Sequence, residues 1–512
     1  MRLLRVDMGR PGKGLGAAHR VVWLAPQRAA PNGCSTAGGG GQGARPERVR
    51  GGDPESDLSE VWVELQRRAG ETAAATASVR GLVDVSSKRV LFYDASASYT
   101  HVAQAVVDQF AAVKYFCPWE RGFSVARDFL PGIGLGGVER VADFFTALDD
   151  IDLVVFTDVG SAGLQEYLRE QGLPVFGSAR GAELERDRWK LKRTLEAANI
   201  DVSDGYLVRG LDNLRKVLQK QDDLWIKFSY FRGNVETFHH RSYPMSTHKL
   251  AEWALSLGPY AEVAEFIVEP PIESGLCVEV GCDPPWTCDG RFPQTFLWGY
   301  EDKDAAYCGT THALPARMSA VLEKLAPILG KYGYRGPLST ETRECDDRAS
   351  YLIDLSCRFP EPPSSVHTYL ATNWGEMMYC AAIGDPVEPE YAGSYAVEIV
   401  LRSEAGAEHP LAVDIGNKDR VRLHGHCRIN GQDYAVSPSE IREFGAACGI
   451  GDSLADATEE ALDAAESVTG DEVEFDAAAV RRLLDTIRDG QKLDLDWGTM
   501  RGAEDAATQS SR

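Results

Sequence analysis

The segment Gly336–Ser365, GPLSTETRECDDRASYLIDLSCRFPEPPSS, reads as two short strands across a turn. It places Glu341 on the first strand, Asp354 near the end of the second, and Arg358 four residues later beside a Pro-rich break. Two carboxylates brought together on a hairpin offer hard oxygen ligands to Mg²⁺ held against a polyphosphate. An arginine next to them binds phosphate through its planar fork. Taken alone, the segment reads equally well as an ordinary hairpin with surface acids. The upstream chain weighs against that plain reading, because it carries further parts of a nucleotide site in a sensible order.

A chain of 512 residues holds several domains and buries large cores. The formal net charge of −23 disfavours nonspecific binding to nucleic acid or to an anionic membrane. No apolar run approaches the roughly 20 residues needed to span a bilayer. The 11 cysteines are scattered without a CxxC, and the Cys282/Cys288 spacing matches no common zinc module. A cytoplasmic protein with reduced, buried thiols is the simplest expectation. The 10 histidines form no HxxxH or HExxH pattern, so His239–His240, His424 and His426 read as structural or exposed rather than as ligands.

Residues 1–50 carry nine Lys/Arg against two Asp/Glu, a charge of +7, which leaves −30 on the remainder. With the run Gly38–Gly41, residues 1–85 read as a disordered extension and linker. An N-terminal α/β segment follows over 86–180. Its strands are Val90–Tyr93, Ile151–Thr157 and one starting at Pro174, and its helices are Val102–Val113 and Leu164–Gln171. This alternation implies a parallel sheet with covered faces. A central segment spans 181–386, with a helix near Arg186–Ala198 and strands at Trp225–Phe228, Glu265–Glu269 and Leu276–Val280. A third segment, 387–490, alternates like antiparallel strands over Tyr395–Leu401 and Arg420–Asn430. It then gives an acidic amphipathic helix over Ser453–Val468 and a last helix that stops at Gly490. Residues 491–512 read as a polar tail, and there is no internal repeat.

Lys227 lies inside an apolar strand, followed by the flexible sequence Ser229–Asn234. A buried lysine needs an anionic partner, and a phosphate covered by a Gly-containing loop is one such partner. The alternative is a strand-edge lysine with its head in water. Glu269 ends a strand just before Pro270–Pro271, where it is positioned to accept from an amino group or a ribose hydroxyl. Glu279 is a second candidate for the ribose, and either acid reads equally as a surface group. Arg188, Lys190, Lys192 and Arg193 share a helix; one of them, with Lys190 the candidate, points at a nucleotide phosphate while most face solvent. Gly132–Gly137 matches GxGxxG but follows no convincing buried strand, as a dinucleotide fingerprint requires. It is expected to be a mobile loop.

Taken in order, these pieces resemble the ATP-grasp superfamily. GLPVFGSARGAELERDRWKLKRTLEAANIDV (Gly172–Val202) resembles the join between a preceding α/β domain and the ATP-grasp module. WIKFSYFRGN resembles the strand lysine and phosphate loop, AEFIVEPPIESGLCVEV the interdomain hinge, and STETRE…YLIDLSCRF the two metal-bearing strands. Within that superfamily the chain is most similar, over about Val90–Val468, to phosphoribosylamine–glycine ligase and its relatives. The resemblance implies an ATP-grasp fold of multidomain α/β and α+β class. It combines an N-terminal Rossmann-like parallel domain, the ATP-grasp module and a C-terminal mixed β/α domain.

It also implies ATP and Mg²⁺ as cofactors, with Mn²⁺ an alternative. Lys227 would contact the ATP phosphates, Glu269 the adenine hinge and Glu279 the ribose. Glu341 and Asp354 would ligate the metal, and Arg358 would stabilise the transferred phosphoryl group. Such enzymes activate a carboxylate as an acyl phosphate that an amine then displaces, so the partners implied are a small-molecule carboxylate and an amine. The oligomeric state is not implied.

The chain departs from that pattern at the metal site, where Asp354–Leu355–Ser356 replaces Glu-x-Asn. The turn Asp94–Ser98 lacks the family's glycines, and Thr157–Gly160 replaces Gly-Pro-Glu. No Gly-Gly-Arg element precedes Gly451. These changes fall mainly where phosphoribosylamine would bind. Three readings stay open: a ligase for another substrate pair, the purine-pathway ligase itself, and a noncatalytic nucleotide-binding protein.

Overall fold

The computed structural model describes residues 83–118, 129–230, 237–272, 275–303, 305–437, 441–498 and 502–503. These lie in one compact unit that runs from Leu82 to Arg512. The extension over 1–82 and the tip of the expected phosphate loop fall outside the described residues.

The N-terminal layer is an all-parallel sheet of β1 (Arg89–Tyr93), β2 (Ala112–Phe116), β3 (Val138–Arg140), β4 (Leu153–Phe156) and β5 (Val175–Phe176). Its spatial order is β3-β2-β1-β4-β5. β4 is buried along its whole length, which is why LVVF reads as a continuous apolar run. The helix expected over Val102–Val113 is shorter, Thr100–Gln104; residues 105–111 are turns and bends, and only its last two residues, Ala112 and Val113, open β2. Alternating burial of Val113 and Tyr115 drives that outcome, because period-2 burial suits a strand and not a helix.

A small antiparallel sheet follows: β6 (Tyr206–Arg209), β7 (Leu224–Phe228), β8 (Thr237–His240) and β9 (Glu265–Glu269), ordered β6-β9-β7-β8. The helices Leu211–Leu218 and Tyr243–Leu257 supply Leu214, Leu218, Leu250 and Trp253 to its core.

The largest sheet has nine strands. It contains β10 (Cys277–Asp283), β11 (Leu297–Asp302), β12 (Ala306–Thr310), β13 (Ser339–Cys345), β14 (Ser350–Ser356), β15 (Tyr395–Ser403), β16 (Val421–Leu423), β17 (Glu443–Gly451) and β18 (Val473–Glu474). Because β12 pairs with β15, one sheet runs across the 386/387 boundary expected from the sequence. β15 is buried on both faces rather than alternating; the helices Ser364–Leu370 and Leu454–Glu466 pack on it.

Arg420–Asn430 is not one strand. It divides at Gly425 (φ +54°) into β16 and a short strand, His426–Ile429, that belongs to a separate four-stranded sheet. A Cβ at Gly425 would lie 2.1 Å from the Val436 carbonyl, so the turn requires glycine.

Four further expectations change. Gly132–Gly137 is pinned: the Gly132 N–H donates to the His426 carbonyl at 2.8 Å and the Ile133 carbonyl accepts from the Arg428 N–H at 2.8 Å. The last helix, Ala479–Lys492, passes through Gly490, where a Cβ would sit 1.9 Å from the Tyr300 hydroxyl. Close packing explains that glycine, and helix termination does not. Residues after 491 are not uniformly polar, since Leu493, Leu495 and Trp497 are buried and Trp497 meets Trp298 edge-on. The thiols are also not all free: Cys277 and Cys345, paired in register across β10 and β13, form a disulfide, while the eight free cysteines among the described residues are buried. Among the described residues, no helix is long and apolar enough to cross a membrane.

Candidate active site

The hairpin β13–β14 sets Glu341 directly opposite Asp354, with a register shift immediately after Glu341. Gly281 on β10 is Glu341's other neighbour, so the side chain has room above a residue without one. Burial pushes the Glu341 carboxyl up to about 8, and the nearby Asp354, Glu279 and Glu301 carboxylates push in the same direction. Asp354 behaves oppositely. Burial raises it, but Arg188 and Lys227, followed by the Leu355 backbone and Arg358, outweigh that and hold it below its ordinary value. One carboxyl kept protonated beside one kept ionised is what a strongly anionic pair becomes when no cation balances it. The donor set therefore fits a hard divalent ion.

Facing this hairpin is the open end of the small sheet. Glu269, buried at the end of β9, lies 2.8 Å from Lys192 Nζ and 3.3 Å from Lys227 Nζ. Lys192 also donates to Ser203, at both the backbone carbonyl and the hydroxyl. Lys227 donates to the Ile353 carbonyl at 3.3 Å, which ties β7 to the β13–β14 hairpin one residue from Asp354. Burial raises the Glu269 carboxyl, yet Lys227 and Lys192 overcome it and hold the group low. Arg188, Lys192, Lys227, Glu269 and Asp354 line one cleft between the small sheet and β14. Three cations thus face two carboxylates, an excess of positive charge suited to a polyanion.

Arg358 follows β14 and is largely enclosed. Its Nε lies 3.1 Å from Glu185, its Nη1 donates to the Tyr99 hydroxyl at 3.3 Å, and the fork reaches the Phe359 carbonyl at 3.1 Å. Glu185 also accepts the Cys357 N–H at 2.8 Å, so this glutamate orients both the arginine and the chain leading to it.

The structure therefore gathers Lys227, Glu269 and Asp354 about one cleft, with Glu341 opposite Asp354 on the hairpin and Arg358 near enough to act on Asp354. Two candidates sit elsewhere. Lys190 is half exposed and pairs with Glu183 at 2.6 Å, outside the residues lining the cleft. Lys192 and Arg188 occupy the place expected for Lys190. Glu279 pairs with Arg343 at 2.8 Å at the surface and acts on Glu341, not on the Lys192–Lys227–Glu269 cluster. Sequence reasoning also missed Tyr99, Glu185 and Ser203, which carry no local motif and reach the site only through the fold.

This architecture, a parallel α/β layer followed by a small antiparallel sheet closing on a large one, is the ATP-grasp fold. Among solved structures the chain is similar to phosphoribosylamine–glycine ligase from Thermotoga maritima, with a TM-score of 0.57 and 17% identity over 76% of this chain and 98% of that one. It is also similar to the biotin carboxylase domain of Hydrogenobacter thermophilus 2-oxoglutarate carboxylase, solved with MgADP, ADP and bicarbonate. There the TM-score is 0.55 and the identity 12%, over 82% of this chain and 97% of that one. Biotin carboxylase from Campylobacter jejuni, in an ATP-type complex, gives a TM-score of 0.54 and 13% identity over 80% and 95% of the two chains. No family model and no curated protein sequence matches.

Proposed function

We propose that this chain is an ATP- and Mg²⁺-dependent carboxylate–amine ligase acting on small molecules. The observation that carries it is the convergence of Arg188, Lys192, Lys227 and Asp354 on one cleft, with Glu341 across from Asp354. In this reading Lys227, Lys192 and Arg188 hold the ATP phosphates, while Glu341 and Asp354 hold Mg²⁺. Bound there, the ion would neutralise charge on the transferring phosphoryl group.

A substrate carboxylate oxygen attacks the γ-phosphorus and ADP leaves, with Arg358 placed to bind the transferred group. The amine then attacks the acyl carbon, inorganic phosphate departs, and the amine loses a proton. Arg358 keeps its orientation through Glu185 and Tyr99, so it meets developing charge without a reorganisation cost.

A substrate other than phosphoribosylamine is favoured by the turn after β1. There the Asp94 carboxyl accepts the Tyr99 N–H at 2.8 Å, the Ser96 N–H at 3.2 Å and the Tyr115 hydroxyl at 2.7 Å. These are the donors that a sugar phosphate at this turn would need, and an acidic side chain already uses them.

The test is ADP release by the purified full chain with Mg-ATP. Glycine plus freshly generated phosphoribosylamine is tried first, then a panel of amino acids and amines. Release with another pair is the expected result. Release with the purine pair alone would make this a purine-pathway ligase, and ATP binding without turnover on any pair would make it noncatalytic. If Glu341→Gln and Asp354→Asn left turnover intact, the metal assignment would be wrong.

A further inference from the structure

Beyond the nucleotide cleft, three side chains from distant parts of the sequence meet in the interior. His101 lies on the helix after β1, Glu361 in the turn after β14, and His424 in the turn after β16. One ligand-capable atom from each falls within 4.8 Å of the others. His424 Nε2 is 2.7 Å from Glu361 Oε2, and His101 Nε2 is 3.6 Å from Glu361 Oε1. The two imidazole rings are 5.5 Å apart. His101 is wholly buried, and Glu361 and His424 are mostly so.

Glu361 Oε1 is buried and accepts no hydrogen bond among the described residues, although it is aimed between the histidines. A carboxylate oxygen left without a partner in the interior costs about 1–3 kcal/mol or more, so it demands an explanation. Ser364 Oγ, 3.0 Å from His101 Nε2, and Ser365 Oγ, 3.4 Å from His424 Nε2, complete the polar lining. Arg422 is the cation acting on this cluster, and Glu398, Glu443 and Asp94 supply the opposite sign.

We propose that His101, Glu361 and His424 form a three-ligand site for a late first-row divalent cation of the Zn²⁺ type. Two imidazoles and one carboxylate are a donor set such ions prefer over Mg²⁺, which wants oxygen alone. Ligands about 2.0–2.2 Å from a common centre lie roughly 3–3.5 Å from one another; the two His–Glu separations, 2.7 and 3.6 Å, fall to either side of this, and the third pair lies within 4.8 Å. The ion would replace the Ser364 hydroxyl as partner of His101 Nε2 and take up the unpartnered oxygen of Glu361. Three protein ligands leave a position open to water or to a substrate donor atom. The site joins the N-terminal layer, the turn after the metal hairpin, and the C-terminal region. It uses neither Glu341 nor Asp354, so its ion is distinct from the proposed Mg²⁺, and Tyr99 links the two sites: its ring lies 6.0 Å from that of His101 and its hydroxyl accepts from Arg358.

The experiment is metal stoichiometry on the full chain. The chain is stripped with a chelator, desalted, and titrated with Zn²⁺ and separately with Co²⁺ without nucleotide, reading bound metal and Co²⁺ visible absorption. One Zn²⁺ per chain is expected, with a Co²⁺ spectrum of nitrogen–oxygen coordination. Glu361→Gln and His424→Ala should each weaken Zn²⁺ at least about a hundredfold, beyond the loss typical of an outer partner, while Glu341→Gln and His239→Ala should not. His101 is fully buried, so the two less buried ligands carry the test, and each variant's fold is checked by circular dichroism. Absence of stoichiometric Zn²⁺ on the native chain would overturn the proposal. So would Zn²⁺ retained in both ligand variants, lost in Glu341→Gln, or bound with a thiolate spectrum.

Discussion

Glu341 pays for its position in stability, and the size of that cost can be worked from the structure. Its carboxyl is pushed from an ordinary value of 4.5 up to about 8 by burial and by its acidic neighbours. A tenfold change in proton affinity is about 1.4 kcal/mol, so a fully enclosed group would cost the fold about 3 kcal/mol at neutral pH. Part of the side chain reaches the surface, and water trims this to about 2 kcal/mol.

The sign follows from linkage. Below the unfolded value of 4.5 both states are protonated and there is no cost. Between 4.5 and about 8 the unfolded chain is ionised while the folded one holds its proton, so stability falls as pH rises; above about 8 the cost is constant. Replacing Glu341 with Gln keeps the shape and removes the titration. In metal-free buffer the variant should therefore melt about 2–4 °C above the native chain near neutral pH. The gap should close near about pH 4 and widen toward about pH 8. Adding Mg²⁺ should raise the native melting temperature and not the variant's. Differential scanning calorimetry across this pH range reads all three. A variant less stable than the native chain at neutral pH, or a gap that narrows as pH rises, would refute the reasoning.

Lys227→Met should weaken ADP binding at least about tenfold by calorimetric titration, since it removes a cation from the cleft and leaves Glu269 with Lys192 alone. Trp497→Ala should cost about 3–5 kcal/mol, because this residue is wholly buried against Trp298 and Tyr300; a melt unchanged within a degree would show that the segment does not dock. Non-reducing peptide mapping should recover a Cys277–Cys345 link, and Cys345→Ser should lower stability by about 2–4 kcal/mol relative to the oxidised chain. Free thiols at both positions after gentle isolation would contradict the pairing.

What is legible in the sequence is local. The Glu341/Asp354 hairpin announces itself because its two strands are adjacent in the chain and its acids fall opposite each other by simple counting. Lys227 is also visible, as the single charge in the apolar strand LWIKF, and Glu269 by its place at a strand end just before Pro270–Pro271. What is not legible is long-range. His101, Glu361 and His424 are separated by more than 60 residues at their nearest spacing in sequence, and none carries a motif. The single sheet crossing residue 387 depends on β12 finding β15, which no local pattern specifies. The length of the first helix is hidden for a different reason. Val102–Val113 is apolar enough to read as one helix, yet the helix stops at Gln104, and pairing with β1 draws Ala112–Val113 into β2.

The choice among the four cations on the helix Arg188–Ala197 is, by contrast, decidable from helical geometry alone. Side chains four apart share a face and those two apart lie on nearly opposite faces. Leu191 and Leu195 mark the buried face. Arg188 and Lys192 are four apart and bracket Leu191, so both fall on that face, whereas Lys190 is about 200° from Arg188 at 100° per residue. The side chains follow that geometry: Lys192 is buried against Glu269, and Lys190 reaches outward to Glu183. A cation on an apolar face must meet an anion, and one on the opposite face need only meet water. The position relative to the leucines, more than the presence of lysine, therefore selects the residue that can hold a phosphate. Lys192→Met should accordingly impair nucleotide binding where Lys190→Met does not, and equal losses from the two would break the argument.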